Sequence, residues 1–316
     1  MVTSQKAMSD LGFGIGASRE NKGLKMRSRR RNILGMAFGR GIAAIFLFLM
    51  IWEIGAQSKV WIKWETFEWL RNLLPALGLK PNYLPWIGAV PAPTEVVAAW
   101  AQLLGNLSYW KSWYLSFLRV MAGFLAAMII GIPFGLLLAV NRIAYGINFP
   151  VFEMLRPIPP LAWVPAAIIF WPTQELSIAF VTFLGAFYTI VINVLGGARS
   201  IDVRFFQAAR SMGSNSWDIF WRIILPGTMP SIVVGAVVGM GIAWEVVVAA
   251  EMISGGGSAI GDSAGGGLGF FIWNSYTGGS YERVVVGMIS IGIAGYISSE
   301  LLRALGARLM SWRRTR

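Results

Sequence analysis

Gln207-Ala208-Ala209-Arg210-Ser211-Met212-Gly213, followed after nine residues by Ile223-Ile224-Leu225-Pro226, is the stretch on which the reading of this chain turns. It lies between two long apolar segments and is itself polar and partly helical. Irregular backbone cannot face lipid, so this loop must emerge on one face of a membrane. Pro226 closes it, because a proline in the first turn of a helix gives up no hydrogen bond and its fixed φ suits the helix that follows.

Composition supports a membrane setting. Of the 316 residues, 56% are apolar and only 13% are charged, and the mean hydropathy is +0.61. A soluble domain carries about a quarter charged residues. Apolar runs of roughly 20 residues span a bilayer as helices, which predicts an all-α integral membrane protein. Six runs fit: 41–55, 117–140, 161–171, 176–195, 225–253 and 284–305. The chain has no cysteine and no histidine. That excludes disulfides and thiolate metal sites, and removes the commonest metal ligand and proton shuttle.

Around these runs the chain divides into a basic cytoplasmic tail (1–40, with Arg27, Arg29, Arg30 and Arg31), a first transmembrane helix (41–58) and a connector (59–110). A five-helix core (111–305) with its polar loop at 197–226 follows, then a basic tail (306–316). Seven of the fifteen tryptophans fall within 59–113. Tryptophan prefers the membrane–water interface, so the connector is predicted to lie on the surface as helices, with Thr94 capping one that runs to Leu104. Six spans put both termini on one side, and that side then carries 20 of the 27 Lys and Arg residues. The positive-inside rule makes it cytoplasmic. The 207–226 loop falls on the same side. The net charge of +12 is thus accounted for by topology and needs no nucleic acid.

The spacing of the loop resembles the E-A-A-x3-G-x9-I-x-L-P signature of binding-protein-dependent ABC importer permeases. The likeness covers roughly 90–305. Val90-Pro91-Ala92-Pro93-Thr94-Glu95-Val96-Val97, Ser116-Phe117-Leu118-Arg119-Val120 with Gly123-Phe124, and Arg156-Pro157-Ile158-Pro159-Pro160-Leu161-Ala162-Trp163-Val164-Pro165 are similar to runs of one subgroup. So are Ala243-Trp244 with Ala249-Ala250-Glu251-Met252, and Gly267-Leu268-Gly269-Phe270 with Ile272-Trp273. That subgroup comprises permeases for nitrate, bicarbonate, sulfonates and taurine.

The resemblance implies the ABC type I importer permease fold in a bacterial inner membrane. It also implies a second permease copy as homodimer partner, two cytoplasmic ATPase subunits and an external solute-binding protein. The loop would be a coupling helix docked on the ATPase through Gln207, Ala208, Ala209, Met212 and Gly213, the small residues letting another backbone approach. No Gly-x4-Gly-Lys-Ser/Thr phosphate loop occurs in the chain. ATP and magnesium would therefore sit on the partner subunits, and this chain would be no enzyme and hold no cofactor. Three departures stand out: Gln207 replaces the usual Glu, Tyr188 stands where relatives place a proline, and the glycine-rich stretch 255–267 is long. An ATP-independent anion transporter or channel is the alternative, although no internal repeat supports it. A membrane enzyme would need a ligand cluster that the chain lacks.

Ionisable residues inside spans are the candidate sites. Arg119 either attracts an anionic substrate or pairs with a carboxylate. Glu251 would repel an anion, so it is predicted to pair internally with Arg119 or Arg156; Glu245 and Glu53 are read as structural in the same way. Thr182, Thr189 and Asn193 share a face of the fourth span and could hydrogen-bond an oxyanion or pack between helices. Arg156 precedes three prolines within four residues. That segment is not regular helix, and either lines a cavity or forms a rigid cytoplasmic turn, the latter favoured for Pro157 and Pro159.

Overall fold

The computed structural model describes residues 40–57 except 42, isolated positions between 72 and 78, 90–254 and 266–310. The N-terminal tail, most of the tryptophan connector, the glycine-rich 255–265 and the last six residues lie outside them. The chain forms two units, Met1–Thr94 and Glu95–Arg316. In the first, the apolar helix α1 (Ala43–Gln57) carries Glu53, whose carboxylate accepts from the Thr94 backbone N–H at 3.2 Å and from its hydroxyl at 2.9 Å. Glu53 is thus structural, as expected. The next helix, α2 (Pro93–Leu104), begins one residue before Thr94, so Thr94 sits inside its first turn and the outside cap comes from Glu53.

The second unit is helical throughout, with no strand among the described residues. After α2 come α3 (Leu107–Val140), α4 (Arg142–Leu155) and, beyond a 3₁₀ turn at Pro160–Trp163, the short α5 (Val164–Phe170). Then follow α6 (Gln174–Arg199), α7 (Val203–Ser211), α8 (Ser216–Ile253), α9 (Leu268–Thr277) and α10 (Tyr281–Leu309). Among the described residues, α3, α6, α8 and α10 are the helices long and apolar enough to cross a membrane.

Lipid offers helices no hydrophobic reason to associate, so small residues that permit close backbone contact do the joining. A Cβ on Gly123 would fall 2.6 Å from Thr182 Cβ, and one on Gly135 would fall 2.9 Å from Val194 Cβ. These pairs show that α3 and α6 run parallel. Gly235 against Asn193 (2.9 Å) and Gly185 against Val246 (3.0 Å) show that α8 runs antiparallel to α6.

Parallel α3 and α6 force the intervening 141–173 to travel back between their ends. It does so as a broken segment. Tyr145 lies under the Arg199 guanidinium, 3.8 Å from ring centre to charge. Phe152 packs on Phe187 and Tyr188, and the Ala167 carbonyl accepts from Ser177 Oγ at 3.0 Å. The expected span at 161–171 is therefore only the last part of this return. Its α-helix has seven residues, about 10 Å at 1.5 Å per residue, against a hydrocarbon core of about 30 Å. The Arg156–Pro159 turn, expected at the cytoplasmic face, sits at the depth of the middle of α6, between the levels of Tyr188 and Phe180.

The polar loop is also more helical than expected. α6 extends to Arg199, and helix resumes at Ser216, nine residues before the expected start of the fifth span at 225. Pro226 falls within that helix, immediately after a π segment, Phe220–Ile224, in which the Leu225 N–H reaches back to Phe220 O. The extra residue in the turn accommodates a proline that has no N–H to give.

At the end of the bundle away from α7, one buried ionic cluster ties four elements together. Arg119 on α3 donates from Nε and Nη2 to the two oxygens of Glu175 on α6, at 2.7 and 2.6 Å. Its Nη1 donates to Glu251 on α8 at 2.8 Å and to the Gly266 carbonyl at 2.9 Å. Glu251, fully buried, also accepts from Ser116 Oγ (2.8 and 2.9 Å) and from the Gly269 N–H (2.9 Å). The Leu268 N–H donates to Ser116 Oγ at 2.8 Å. Gly267 has φ +90°, and a Cβ there would run into the Glu251 carboxylate. Glycine is required at that corner on both counts.

Removing one partner from a buried ion pair strands the other, at a cost of about 3–5 kcal/mol. Glu251→Ala and Gly267→Ala are expected to lower the melting temperature of the detergent-solubilised protein markedly. Glu175→Gln, whose carboxylate is 29% exposed, should lower it less. Equal losses from Glu175→Gln and Glu251→Ala would contradict this description.

Candidate functional site

The interrupted polar stretch folds into α7, a helix of nine residues. Asp202 starts it by accepting from the Arg204 N–H at 2.9 Å, satisfying one of the donors that a helix N-terminus leaves free. Gly213 ends it. Ser214 N–H bonds back to Ala209 O and Gly213 N–H to Arg210 O, each at 3.0 Å, with Gly213 at φ +81°. This is the Schellman arrangement, in which the residue after the helix adopts the left-handed conformation that glycine accepts without strain. A Cβ on Gly213 would meet nothing within 4 Å, so the glycine is there for its backbone and not for clearance within this chain.

α7 has two faces. Ala209 is buried, while Phe206 and Arg210 line a cavity of about 680 Å³ shared with Asn141, Arg142 and Phe220. Gln207, Ala208, Met212 and Gly213 are exposed, as are Val203 and Phe205. Met212 is 79% exposed and Trp217 close by is 68% exposed. Four of the five residues expected at a coupling contact thus point away from the chain, beside large apolar side chains that the spacing alone did not single out. Ala209 instead seats the helix.

The residues expected along a substrate pathway are spread over the bundle. Arg119 is buried in the ionic cluster, where the pairing expected of Glu251 is present. Thr182 is buried and donates to Ile178 O at 2.7 Å. Thr189 donates to Gly185 O at 3.4 Å and Asn193 to Thr189 O at 2.8 Å, and both are half-buried. Each of these three side chains returns a hydrogen bond to its own helix.

Two further features sit at mid-depth. Arg156, in the break between α4 and α5, pairs with Glu153 at 2.8 Å, both side chains nearly half exposed. Glu245 on α8 is exposed near the level of Gly185 and has no ion pair among the described residues, in contrast to the structural pairing expected of it. Non-helical backbone and open charges at such depth are tolerated where they line water or another protein. Glu175 and Ser116 were missed from sequence. Glu175 stands in the first turn of α6, a usual place for an acid, and Ser116 is far from its partners along the chain. No group of three or more potential metal ligands occurs among the described residues.

Comparison with known proteins agrees with this geometry. Residues 131–311 match the family described as binding-protein-dependent transport system inner membrane component. The taurine transport system permease protein TauC of Escherichia coli is 30% identical over 265 residues, covering 82% of this chain and 89% of that protein. The nitrate import permease protein NrtB of Leptolyngbya laminosa is 33% identical over 192 residues, covering 61% of this chain and 66% of that protein. A chain in the crystal structure of a bacterial ABC transporter involved in import of the acidic polysaccharide alginate shares the fold, with a TM-score of 0.50 at 14% identity over 88% of this chain and 99% of that one. With more than half its length matched and a relative of this similarity covered nearly end to end, the chain belongs to the family of binding-protein-dependent transport system inner membrane components, the permease subunits of ABC importers.

Proposed function

We propose that the chain is the membrane subunit of an ATP-driven importer of a small oxyanion, with nitrate or bicarbonate ahead of sulfonate or taurine. The nitrate and taurine relatives support that class of cargo. Two copies form the pore, separate ATPase subunits that hold ATP and magnesium dock at α7, and a solute-binding protein delivers the anion at the opposite end. The observation that carries the coupling assignment is the exposed side of α7, where the side chains of Gln207, Ala208 and Met212 have no partner among the described residues. Gln207 offers hydrogen bonds there without charge, so apolar contact and backbone approach give the joint its strength.

The anion passes along the broken return segment, where Arg156 is the cation within reach of an open path at mid-depth. Thr189 and Asn193, half-buried on α6, add donors to that pathway. Arg119 and Thr182, buried and engaged, shape it by holding α3 against α6. Glu245 meets water or the second copy. Closure of the ATPase dimer moves α7, and the helices it seats on follow as a rigid body between inward- and outward-facing states.

Gly213→Arg is expected to abolish both uptake and stimulated ATP hydrolysis while the permease still inserts in the membrane, because the left-handed corner and the clear approach are lost together. Normal uptake by that variant would overturn the coupling assignment. Arg156→Ala should slow anion uptake at least about tenfold, the value of one charge-assisted hydrogen bond of roughly 1.5 kcal/mol or more. Arg156→Lys should recover part of it. Unchanged uptake by Arg156→Ala would remove the mid-depth break from the pathway.

A further inference from the structure

At the end of the bundle opposite α7, a recess of about 350 Å³ lies between the start of α3 and the turn joining α9 to α10. Its polar lining comes from Asn106, Ser108, Asn274, Ser275, Ser280 and Arg283, and no carboxylate lines it. Three observations give it a sign and a purpose. α10, 29 residues long, starts here without a side-chain cap, and the N–H groups of Tyr281 and Glu282 have no acceptor among the described residues. α3, 34 residues long, also starts here, with the Asn106 side chain accepting from the Ser108 N–H. Both helices therefore turn their positive ends toward the recess.

Ser275 adds a hydroxyl to the recess. It is 8% exposed, it lines the recess, and its hydroxyl makes no hydrogen bond among the described residues. The residue is buried but its oxygen is open to the recess, so the hydroxyl is free to donate to a group that enters there. Arg283 adds the charge: its guanidinium has no ion pair among the described residues. The other buried serines that could be compared are engaged, for example Ser290 with Val286 O and Tyr109.

We propose that this recess binds a small oxyanion, held by the Arg283 guanidinium, the Ser275 hydroxyl and the free N–H groups at the start of α10. Convergent N–H donors at a helix start are suited to sulfate, phosphate or carboxylate groups, and an arginine fork fits the same geometry. The volume admits an ion of a few heavy atoms with part of its water. The site does not depend on which solute the importer carries. Its oxyanion is either free in solution or the phosphate of a lipid headgroup.

The test is calorimetric titration of the full-length chain, purified in a neutral detergent, with sodium sulfate against sodium chloride at constant ionic strength. Saturable sulfate binding is expected, weakened at least tenfold by Arg283→Gln and several-fold by Ser275→Ala, with Arg283→Lys in between. Both positions lie at or near the surface of a recess, and a matched melting temperature will show that each variant is folded. A second arm repeats the titration in nanodiscs of phosphatidylcholine and of phosphatidylglycerol. Sulfate binding that survives in phosphatidylcholine identifies a free anion, whereas its loss in both lipids, each of which carries a headgroup phosphate, identifies that phosphate as the occupant. No saturable binding by the wild-type chain in detergent, or equal affinity in Arg283→Gln, would overturn the proposal.

Discussion

One guanidinium buried between two carboxylates sets the terms for the rest of the bundle. Arg119 can be held in the interior because four of its five N–H donors are taken up, by Glu175, Glu251 and the Gly266 carbonyl. A buried charge left short of partners would cost more than the attraction returns. The cluster is therefore satisfied only when α3, α6, α8 and the corner before α9 are all in place, which makes it a check on assembly as much as a source of stability. The excess negative charge has an outlet, since Glu175 is partly exposed while Glu251 is not. Gly267 belongs to the same constraint, because its positive φ and missing side chain leave room for the Glu251 carboxylate.

From that end the helices run down to α7 through glycine crossings, and the direction of those crossings has a consequence for transport. Two parallel helices, α3 and α6, need a return path, and the prolines of 157–160 prevent that path from being one straight helix. The break lands at mid-depth and brings Arg156 and Glu153 with it. The same prolines that looked like a surface turn thus place non-helical backbone and two open charges at the level of the middle of α6. The ionic cluster, the crossings and the break are successive effects of one arrangement of helices.

Much of this was legible in the sequence. Long apolar runs separated by a polar, alanine-containing loop gave the class and the four principal spans, because lipid leaves helices as the way to satisfy backbone polar groups. That Glu251 would pair with an arginine, Arg119 or Arg156, followed from the cost of an isolated intramembrane charge, and the fold brings it to Arg119. What escaped was long-range. Hydropathy marks an apolar run at 161–171 but does not say that α4, with its tyrosine and asparagine, makes up the rest of the same return segment on the other side of a proline turn. Gly213 read as a clearance residue, while its φ of +81° shows a backbone role that composition does not express. Glu175 could be joined to Arg119 only by folding, as the two are 56 residues apart.

The central claim is that this chain carries its solute only in partnership with ATPase subunits seated on α7. The most direct measurement is ATP hydrolysis by the complex captured with this chain in lipid nanodiscs, with and without its solute-binding protein loaded with nitrate, bicarbonate or taurine. The account expects an ATPase to copurify and its hydrolysis to rise when the binding protein arrives with the cognate anion. Failure of any ATPase to copurify, with anion flux persisting through this chain alone, would contradict it.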